Sequence, residues 1–221
     1  MPSVDPLTPE ARELVSRFHE LFYAESGWRH NHWLGVRVLK TPFDLWIYQE
    51  ILFKQQPDVV IECGTARGGS AYFLASIMDL IGKGRVITMD VRSLDERPSH
   101  DRITYLTGSS TDPGMVATVR GAIGAGEQAM VILDSDHSRD HVLEELRAYG
   151  PLVSEGHYMI VEDTNINGHP ILPDHGPGPM EAVEAFLAEE RGRWRSARWC
   201  ERLLLTFNPR GYLKRRRAQP G

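Results

Sequence analysis

The sequence is short of three things: cysteine, long apolar runs and an excess of positive charge. Only two of its 221 residues are cysteines, Cys63 and Cys200, which disfavours a disulfide framework or a cysteine-based zinc site. No run approaches the roughly 20 apolar residues of a membrane-spanning helix, and the first residues lack the basic-then-apolar order of a signal peptide. With 25 Lys and Arg against 30 Asp and Glu, the net charge of −5 disfavours nucleic acid as a partner. We therefore expect a cytoplasmic protein with no membrane span.

Short apolar, β-branched runs alternate with helical patterns through most of the chain. Such continuous apolar runs are typical of strands that are covered on both faces. Six runs have this character: 59–61, 86–89, 103–106, 130–133, 158–161 and 203–207. The helical patterns between them are 69–81, 112–123, 138–149 and 178–190. This alternation predicts an α/β fold, with a mostly parallel sheet and helices on both of its faces.

Two further helical patterns, 8–24 and 43–54, precede the first strand. They divide the chain into an N-terminal helical cover segment, residues 1–56, and a core, residues 57–221, within one compact unit. The segment 164–179 is the longest without a regular pattern, and it is rich in Gly, Pro and His. Long irregular loops in compact domains are usually functional, often as lids, so we expect a lid here, with a mobile loop as the alternative.

A glycine-rich loop, ECGTARGGS at 62–70, follows the first strand of the predicted core. Its G-x-x-x-G-G spacing differs from the G-x-G-x-x-G spacing that binds a dinucleotide pyrophosphate. Glu62 would repel a phosphate but accept a hydrogen bond from an ammonium group, and Asp90 ends the next strand, where an acid commonly binds ribose hydroxyls. A nucleoside with a cationic amino-acid end fits best, so we predict S-adenosylmethionine rather than NAD. A tight turn that binds no cofactor is the alternative.

Four carboxylates follow two neighbouring strands of the predicted sheet: Asp134, Asp136, Glu162 and Asp163. The carboxyl ends of parallel strands meet at one edge, where these groups would repel one another unless a cation lay between them. Oxygen ligands suit Mg²⁺ or Ca²⁺ better than zinc. The spacing does not choose between Asp134 and Asp136, and we favour Asp134 because it follows its strand directly.

His137 lies within this acidic group and can exchange a proton near neutral pH. We predict that it removes the proton of an acceptor hydroxyl as that oxygen attacks the methyl group of the sulfonium. The alternative is that Asp136 and His137 only cap the helix that begins near residue 138.

From residue 33 to residue 215 the sequence resembles a known family. The resemblance rests on LKTPFDLWIYQEILFKQQPDVVIECGTARGGSA, ILDSDHS, IVEDTNING, GPGPMEAVEAFL and FNPRGYLKRR. These motifs are similar to those of the Mg²⁺- and S-adenosylmethionine-dependent O-methyltransferases grouped with rhamnosyl O-methyltransferase and the cephalosporin-hydroxylase proteins. The chain also resembles mycobacterial sugar O-methyltransferases, including those that act on methylmannose polysaccharide precursors.

The resemblance implies a Rossmann-like methyltransferase fold with a seven-stranded sheet. It implies that Asp134, Glu162 and Asp163 bind the metal and that His137 is the general base. The residues expected to bind the cofactor are Lys40, Glu62, Gly64, Thr65, Gly68, Ser70, Asp90, Ser109 and Asp134. A segment with Lys40, Thr41 and Asp44 is expected to fold over the carboxylate end of the cofactor.

The expected activity is methylation of a hydroxyl on a sugar or short oligosaccharide of the mannoside or rhamnoside type. Cephem tailoring and a non-catalytic carbohydrate- or adenosine-binding module are the alternatives. Aromatic faces suit sugar rings and Gly/Pro loops suit lids, so seven side chains are expected to wall the acceptor site: Trp28, His30, His32, Trp33, His169, His175 and Met180. We also expect a homo-oligomer, most simply a dimer.

Overall fold

The computed structural model describes residues 7–218, and this part of the chain holds six α-helices. They are α1 Pro9–Ala24, α2 Pro42–Gln55, α3 Gly69–Ile81, α4 Pro113–Gly121, α5 Arg139–Tyr149 and α6 Pro179–Glu189. Two starts show why the chain turns helical where it does. The Thr8 hydroxyl accepts a hydrogen bond from the backbone of α1, and the Thr41 hydroxyl does the same for α2, each just before a proline. Such a cap satisfies a backbone donor that the helix leaves free, and proline has no donor to lose there.

Nine strands form a small hairpin and one large sheet in the described residues. The hairpin pairs β1 His32–Trp33 with β2 Val36–Arg37. The sheet comprises β3 Val59–Cys63, β4 Arg85–Asp90, β5 Ile103–Thr107, β6 Ala129–Leu133, β7 Tyr158–Val161, β8 Trp194–Ser196 and β9 Tyr212–Arg215, in the order β5-β4-β3-β6-β7-β9-β8. The first five strands of that order are parallel, while β9 runs antiparallel between β7 and β8. The predicted mostly parallel, seven-stranded sheet is confirmed.

The predicted strand at 203–207 is wrong. That segment lies outside the sheet, and the last two strands are β8 and β9 on either side of it. Its backbone groups bond elsewhere: the Phe207 N–H donates to the Asp44 carboxylate at 3.0 Å, and the Phe207 carbonyl accepts from Asn165 at 3.1 Å. Leu204 has a φ of +70°, which a regular strand does not permit. Leu205 and Phe207 are therefore buried by packing outside the sheet, while Leu204 is half exposed.

Helices cover both faces of the sheet, as the continuous apolar strands predict. On one face Val131 of β6 packs in a cluster with Leu146 of α5 and Phe186 of α6. On the other face Val60 of β3 packs with Ile51 of α2. Since α2 belongs to this second cluster, the proposed cover segment 1–56 is joined to the sheet by shared apolar packing. None of the helices in residues 7–218 is long and apolar enough to cross a membrane.

Strand register places four strand ends at one level. Cys63 of β3 pairs with Met89 of β4 and with Leu133 of β6, and Leu133 pairs in turn with Val161 of β7. The residues that follow these four therefore emerge side by side at the carboxyl edge of the sheet, where open α/β sheets bind ligands.

Candidate active site

A cavity of about 510 Å³ opens at this carboxyl edge. Its size suits a nucleoside-sized ligand, since ligand cavities commonly span about 300–1,000 Å³. Two of the residues predicted to bind the cofactor do not line it: Glu62 lies behind Ser70, and Gly68 caps the start of α3. The others line it, namely Lys40, Gly64, Thr65, Ser70, Asp90, Ser109 and Asp134.

The glycine-rich loop brings the end of β3 against the end of β6. Gly64 has a φ of +97°, and a Cβ built on it would lie 1.8 Å from the carbonyl oxygen of Asp134. Only glycine fits a positive φ with so close a neighbour. Gly68, with a φ of +79°, forms the N-cap of α3. The glycines thus make a tight turn that leaves the cavity open between β3 and β6.

Glu62 is fully buried beneath one wall of the cavity. Its Oε1 accepts a hydrogen bond from the Ser70 hydroxyl at 2.5 Å, and its Oε2 accepts one from Thr88 at 2.6 Å. Burial raises the pKa of Glu62, against the opposing effect of Lys40 and the two hydroxyls. Because the single Ser70 proton is donated to Glu62, the Ser70 oxygen presents lone pairs to the cavity. Such an oxygen can accept a hydrogen bond from an ammonium group of a ligand.

Asp90 stands at the rim of the cavity at the end of β4. Its two carboxylate oxygens accept backbone hydrogen bonds from Ala66 at 2.8 Å and from Arg92 at 2.9 Å. These bonds hold the carboxylate in place between the glycine-rich loop and the loop after β4. Ser109, which follows β5, lines the cavity as well.

Asp134, His137 and Asp163 converge at the other side of the cavity. The Nε2 atom of His137 lies 3.5 Å from Asp134 Oδ1 and 3.2 Å from Asp163 Oδ2. One ligand atom from each of the three residues lies within 4.8 Å of the others. Although the distances are short, Nε2 is buried and makes no well-aligned hydrogen bond within the described chain. The three groups are close together, but they do not satisfy one another's hydrogen-bonding capacity.

The electrostatics of His137 follow from its two acidic neighbours. Burial of the ring acts to lower its pKa, but the close carboxylates of Asp134 and Asp163 outweigh burial and raise the pKa to about 9. The imidazole therefore carries a proton at neutral pH when nothing else neutralises the carboxylates.

A divalent cation fits this group of side chains. Asp134 and Asp163 offer carboxylate oxygens, the ligands that Mg²⁺ prefers, and both border the cavity. Burial raises the pKa of the Asp163 carboxyl group, which is the expected cost of a carboxylate whose partner is poorly aligned. A cation would satisfy both oxygens, and Asp134 and Asp163 are the residues that would hold it.

Glu162, the third predicted metal ligand, is not part of this group and pairs with Lys40 instead. Its Oε1 lies 2.7 Å from the Nζ of Lys40 and accepts a hydrogen bond from the Tyr48 hydroxyl. Burial raises the pKa of Glu162 to about 7, against the lowering effect of Lys40. Lys40 also lies 2.8 Å from Asp134, so its ammonium bridges two of the three predicted ligands.

Lys40 is a buried cation among carboxylates, with a side chain 3% exposed. Burial acts to lower its pKa, but three neighbouring carboxylates outweigh burial and hold the pKa well above its ordinary value. Lys40→Met would leave Glu162 buried without its cation, so we expect the free energy of unfolding to fall by about 3–5 kcal/mol. Urea unfolding of the metal-free protein measures this loss.

Lys83→Met is the matched control for that experiment. Lys83 pairs with Asp58 at 3.0 Å, and its side chain is 42% exposed, so its loss should cost less than about 1 kcal/mol. Equal losses in the two variants would contradict the stabilising role given to Lys40.

Asp136 and His137 play different parts in the structure. The Asp136 carboxylate accepts a hydrogen bond from the Ser138 backbone at 2.8 Å, at the start of α5. It is therefore a helix-start residue, as one alternative predicted. His137 points to Asp134 and Asp163 instead, so capping does not account for it.

Tyr48 and Asn208 stand behind the acidic group, and sequence reasoning assigned neither of them a role. The Asn208 amide donates to the Tyr48 hydroxyl at 2.9 Å, and its Oδ1 accepts from the Asp163 backbone at 3.0 Å. Asp163 has a φ of +54°, an unusual conformation for a residue other than glycine, and Asn208 helps to hold it there. The only feature of the local sequence that could have pointed to Tyr48 is its spacing of four residues from Asp44 in α2. Asp44 itself is buried, and its carboxylate accepts hydrogen bonds from the Tyr212 hydroxyl and the Phe207 N–H. It does not line the cavity.

The residues expected to wall the acceptor site are scattered. Of the seven, Trp28 alone lines the cavity within the described chain, while His32 and Trp33 line a separate groove beside Trp46. In the segment 164–179 His169 lies 2.9 Å from Glu181 of α6, so this segment is tied to the body of the protein. The lid remains a prediction.

Comparison with known proteins gives the family. A family profile described as Rhamnosyl O-methyltransferase/CmcI matches residues 25–216. A Rhamnosyl O-methyltransferase of Mycobacterium tuberculosis strain H37Rv is 42% identical over 178 residues, which are 78% of this chain and 73% of that protein. A Rhamnosyl O-methyltransferase of Mycobacterium leprae is 36% identical over 208 residues, or 92% of this chain and 91% of that protein.

Solved structures agree on the fold. An apo structure of CmcI has a TM-score of 0.68 at 23% identity and covers 99% of this chain and 89% of its own. A CmcI structure with Mg and S-adenosylmethionine has a TM-score of 0.64 at 22% identity, covering 97% of this chain and 88% of its own. The profile match and the two mycobacterial relatives therefore show that the chain belongs to the Rhamnosyl O-methyltransferase/CmcI family and is an S-adenosylmethionine-dependent O-methyltransferase.

Proposed function

We propose that this protein methylates a hydroxyl group of a rhamnosyl or related sugar and that Mg²⁺ bound at Asp134 and Asp163 assists the reaction. The observation that carries the proposal is the convergence of these carboxylates and His137 on a cavity that also borders the glycine-rich loop. The names of the two mycobacterial relatives support a rhamnosyl acceptor. Trp28 supports it as well, because an aromatic face at the cavity wall suits a sugar ring.

The methyl donor would lie between the glycine-rich loop and the end of β4. The Ser70 oxygen, polarised by Glu62, would accept a hydrogen bond from the amino group of the donor. Asp90 would bind the ribose hydroxyls. With the donor in this position, the acidic side of the cavity would remain open for an acceptor hydroxyl. Thr65 and Ser109 line the cavity on the donor's side, and Gly68 begins α3 behind it.

Mg²⁺ bound to the two carboxylates would orient the acceptor hydroxyl and lower its pKa. With the charges of Asp134 and Asp163 neutralised, His137 loses the interaction that raises its pKa and becomes a proton acceptor. The imidazole would then accept the hydroxyl proton at Nε2, while the methyl group leaves the sulfur of the donor for the hydroxyl oxygen. The rest of the catalytic effect comes from holding the two reactants in line.

We retain Glu162 as the third proposed metal ligand. Its carboxylate already shares one cation, the Lys40 ammonium, with Asp134. One cation is thus already shared by the two carboxylates, and Glu162 would have to exchange Lys40 for the metal to join its ligands. Lys40 would keep its ion pair with Asp134, and its positive charge would offset part of the negative charge of the site.

A methyl-transfer screen tests the proposed function. Purified protein is incubated with S-adenosylmethionine, Mg²⁺ and short rhamnosides, mannosides and glucosides, with a cephem as the rival acceptor, and products are detected by mass. We expect a gain of one methyl group on a rhamnoside or mannoside. Methylation of the cephem alone would overturn the sugar assignment, and binding of S-adenosylhomocysteine without turnover of any acceptor would favour a binding module. Cytoplasmic location, homo-oligomer formation and the boundary at residue 56 stay predictions.

A further inference from the structure

A second buried carboxylate, Glu145, lies beneath the opposite wall of the cavity. It belongs to α5, and its side chain is fully buried. Its Oε1 accepts hydrogen bonds from the Ser110 hydroxyl at 2.5 Å and from the Ser135 hydroxyl at 2.6 Å. Its Oε2 is buried and has no hydrogen-bond partner among the described residues. A buried carboxylate oxygen without a donor is costly, so its presence calls for a functional reason.

His141 lies beside Glu145 and the two serines. The Nε2 atom of His141 lies 3.4 Å from Glu145 Oε1, and it is 3.1 Å from the Ser135 hydroxyl and 3.3 Å from the Ser110 hydroxyl. The hydrogen bond to Glu145 raises the pKa of His141. Glu145 and His141 therefore form one close pair beneath the two serines, and a carboxylate can only accept hydrogen bonds.

This arrangement fixes the direction of two hydroxyl groups. Ser110 and Ser135 each have one hydroxyl proton, and both protons are donated to Glu145. The two oxygens therefore offer only lone pairs to the cavity, which both residues line. The wall that they form accepts hydrogen bonds from a ligand and cannot donate them.

The position of this wall indicates which part of the ligand meets it. Ser110 follows β5, the strand next to β4, and β4 ends in Asp90. If Asp90 holds the ribose, the base extends along the wall made by Ser110 and Ser135. Adenine carries an exocyclic amino group, a donor, where hypoxanthine carries an oxo group, an acceptor.

We infer that Glu145 is a positioning residue that makes Ser110 and Ser135 acceptors for the adenine amino group and so selects a 6-amino over a 6-oxo nucleoside. The inference rests on the proposed use of S-adenosylmethionine in this cavity. Glu145 acts through the two serines and need not touch the ligand.

The test measures binding of two probes by calorimetry, S-adenosylhomocysteine and its 6-oxo analogue S-inosylhomocysteine. The wild-type protein should bind the adenosyl compound about 10- to 100-fold more tightly, since an oxo group facing two acceptors loses its hydrogen bonds. Glu145→Gln supplies an amide donor, so a serine proton can turn towards the cavity and the preference should fall to about threefold or less. Glu144→Gln, at the exposed neighbouring position, should keep the wild-type preference.

Selectivity is the readout because a loss of general packing would weaken both probes alike. Ser135→Ala, at an exposed position, removes one acceptor without disturbing the core and should also lower the preference. An unchanged preference in Glu145→Gln or in Ser135→Ala, or no preference in the wild-type protein, would overturn the inference. Failure of the wild-type protein to bind S-adenosylhomocysteine at all would overturn the proposed function together with it.

Discussion

Asp134→Asn is expected to lower the methyl-transfer rate by about 10³-fold, because the variant loses a charged ligand of the proposed cation at the reacting oxygen. The fold should survive. An asparagine oxygen still accepts a hydrogen bond from Lys40, and Lys40 keeps its pairing with Glu162. The free energy of unfolding should therefore stay within about 2 kcal/mol of the wild-type value. Turnover at saturating acceptor, together with calorimetric titration with Mg²⁺, measures both effects of the substitution.

Asp136→Asn is the matched control, because Asp136 lies in the same loop but bonds to Ser138 at the start of α5. This variant should keep its rate within about threefold, the change expected when a neutral acceptor replaces a charged one on an exposed backbone donor. The comparison also decides between the two aspartates, which the sequence spacing left open. Loss of Mg²⁺ binding in Asp136→Asn, with binding retained in Asp134→Asn, would reverse the assignment.

His137→Gln is expected to lower the rate of the chemical step by about 10²- to 10⁴-fold, the usual contribution of a general base. Binding of S-adenosylhomocysteine and of Mg²⁺ should persist, since the two carboxylates remain. In the Mg²⁺-bound wild-type protein, activity should fall as the pH drops and the imidazole is protonated. That acidic limb should vanish in the variant. Single-turnover rates across pH check both expectations.

His175→Gln is the control for His137→Gln, because His175 is exposed and, within residues 7–218, its ring bonds only to the Gly176 carbonyl. It should leave the rate and its pH profile unchanged. If His137→Gln kept the wild-type rate, another group would have to take the proton, and the role given to His137 would be wrong.

Much of the fold follows from local signals that sequence reasoning can use. Glycine at both ends marks α3, whose predicted and observed bounds agree, and threonine followed by proline marks the starts of α1 and α2. The segment 203–207 misled because its composition is that of a buried strand. Its backbone instead bonds outside the sheet, where Phe207 donates to Asp44, a residue 163 positions away in the chain. Contacts of that range leave no periodic trace in a single sequence.

The candidate site was likewise predicted only in part from the sequence. The rule that parallel strands end at one edge brought Asp134 and Asp163 together correctly, because it needs only strand direction. It could not foresee which way Glu162 turns, since this depends on Lys40 and Tyr48, both more than a hundred residues earlier. The sequence did not predict a role for Glu145 either. It is one of several acidic residues on α5, and only the fold shows that it is the buried one.

The most direct test of the central claim is the rate of methyl transfer from S-adenosylmethionine to a rhamnoside acceptor before and after metal removal. We predict that treatment with EDTA abolishes transfer in the wild-type protein and that added Mg²⁺ restores it. S-Adenosylhomocysteine should still bind in EDTA, because Ser70 and Asp90 do not depend on the metal. Full methyl transfer in the presence of EDTA would contradict the account of Asp134 and Asp163 as the ligands of a catalytic cation.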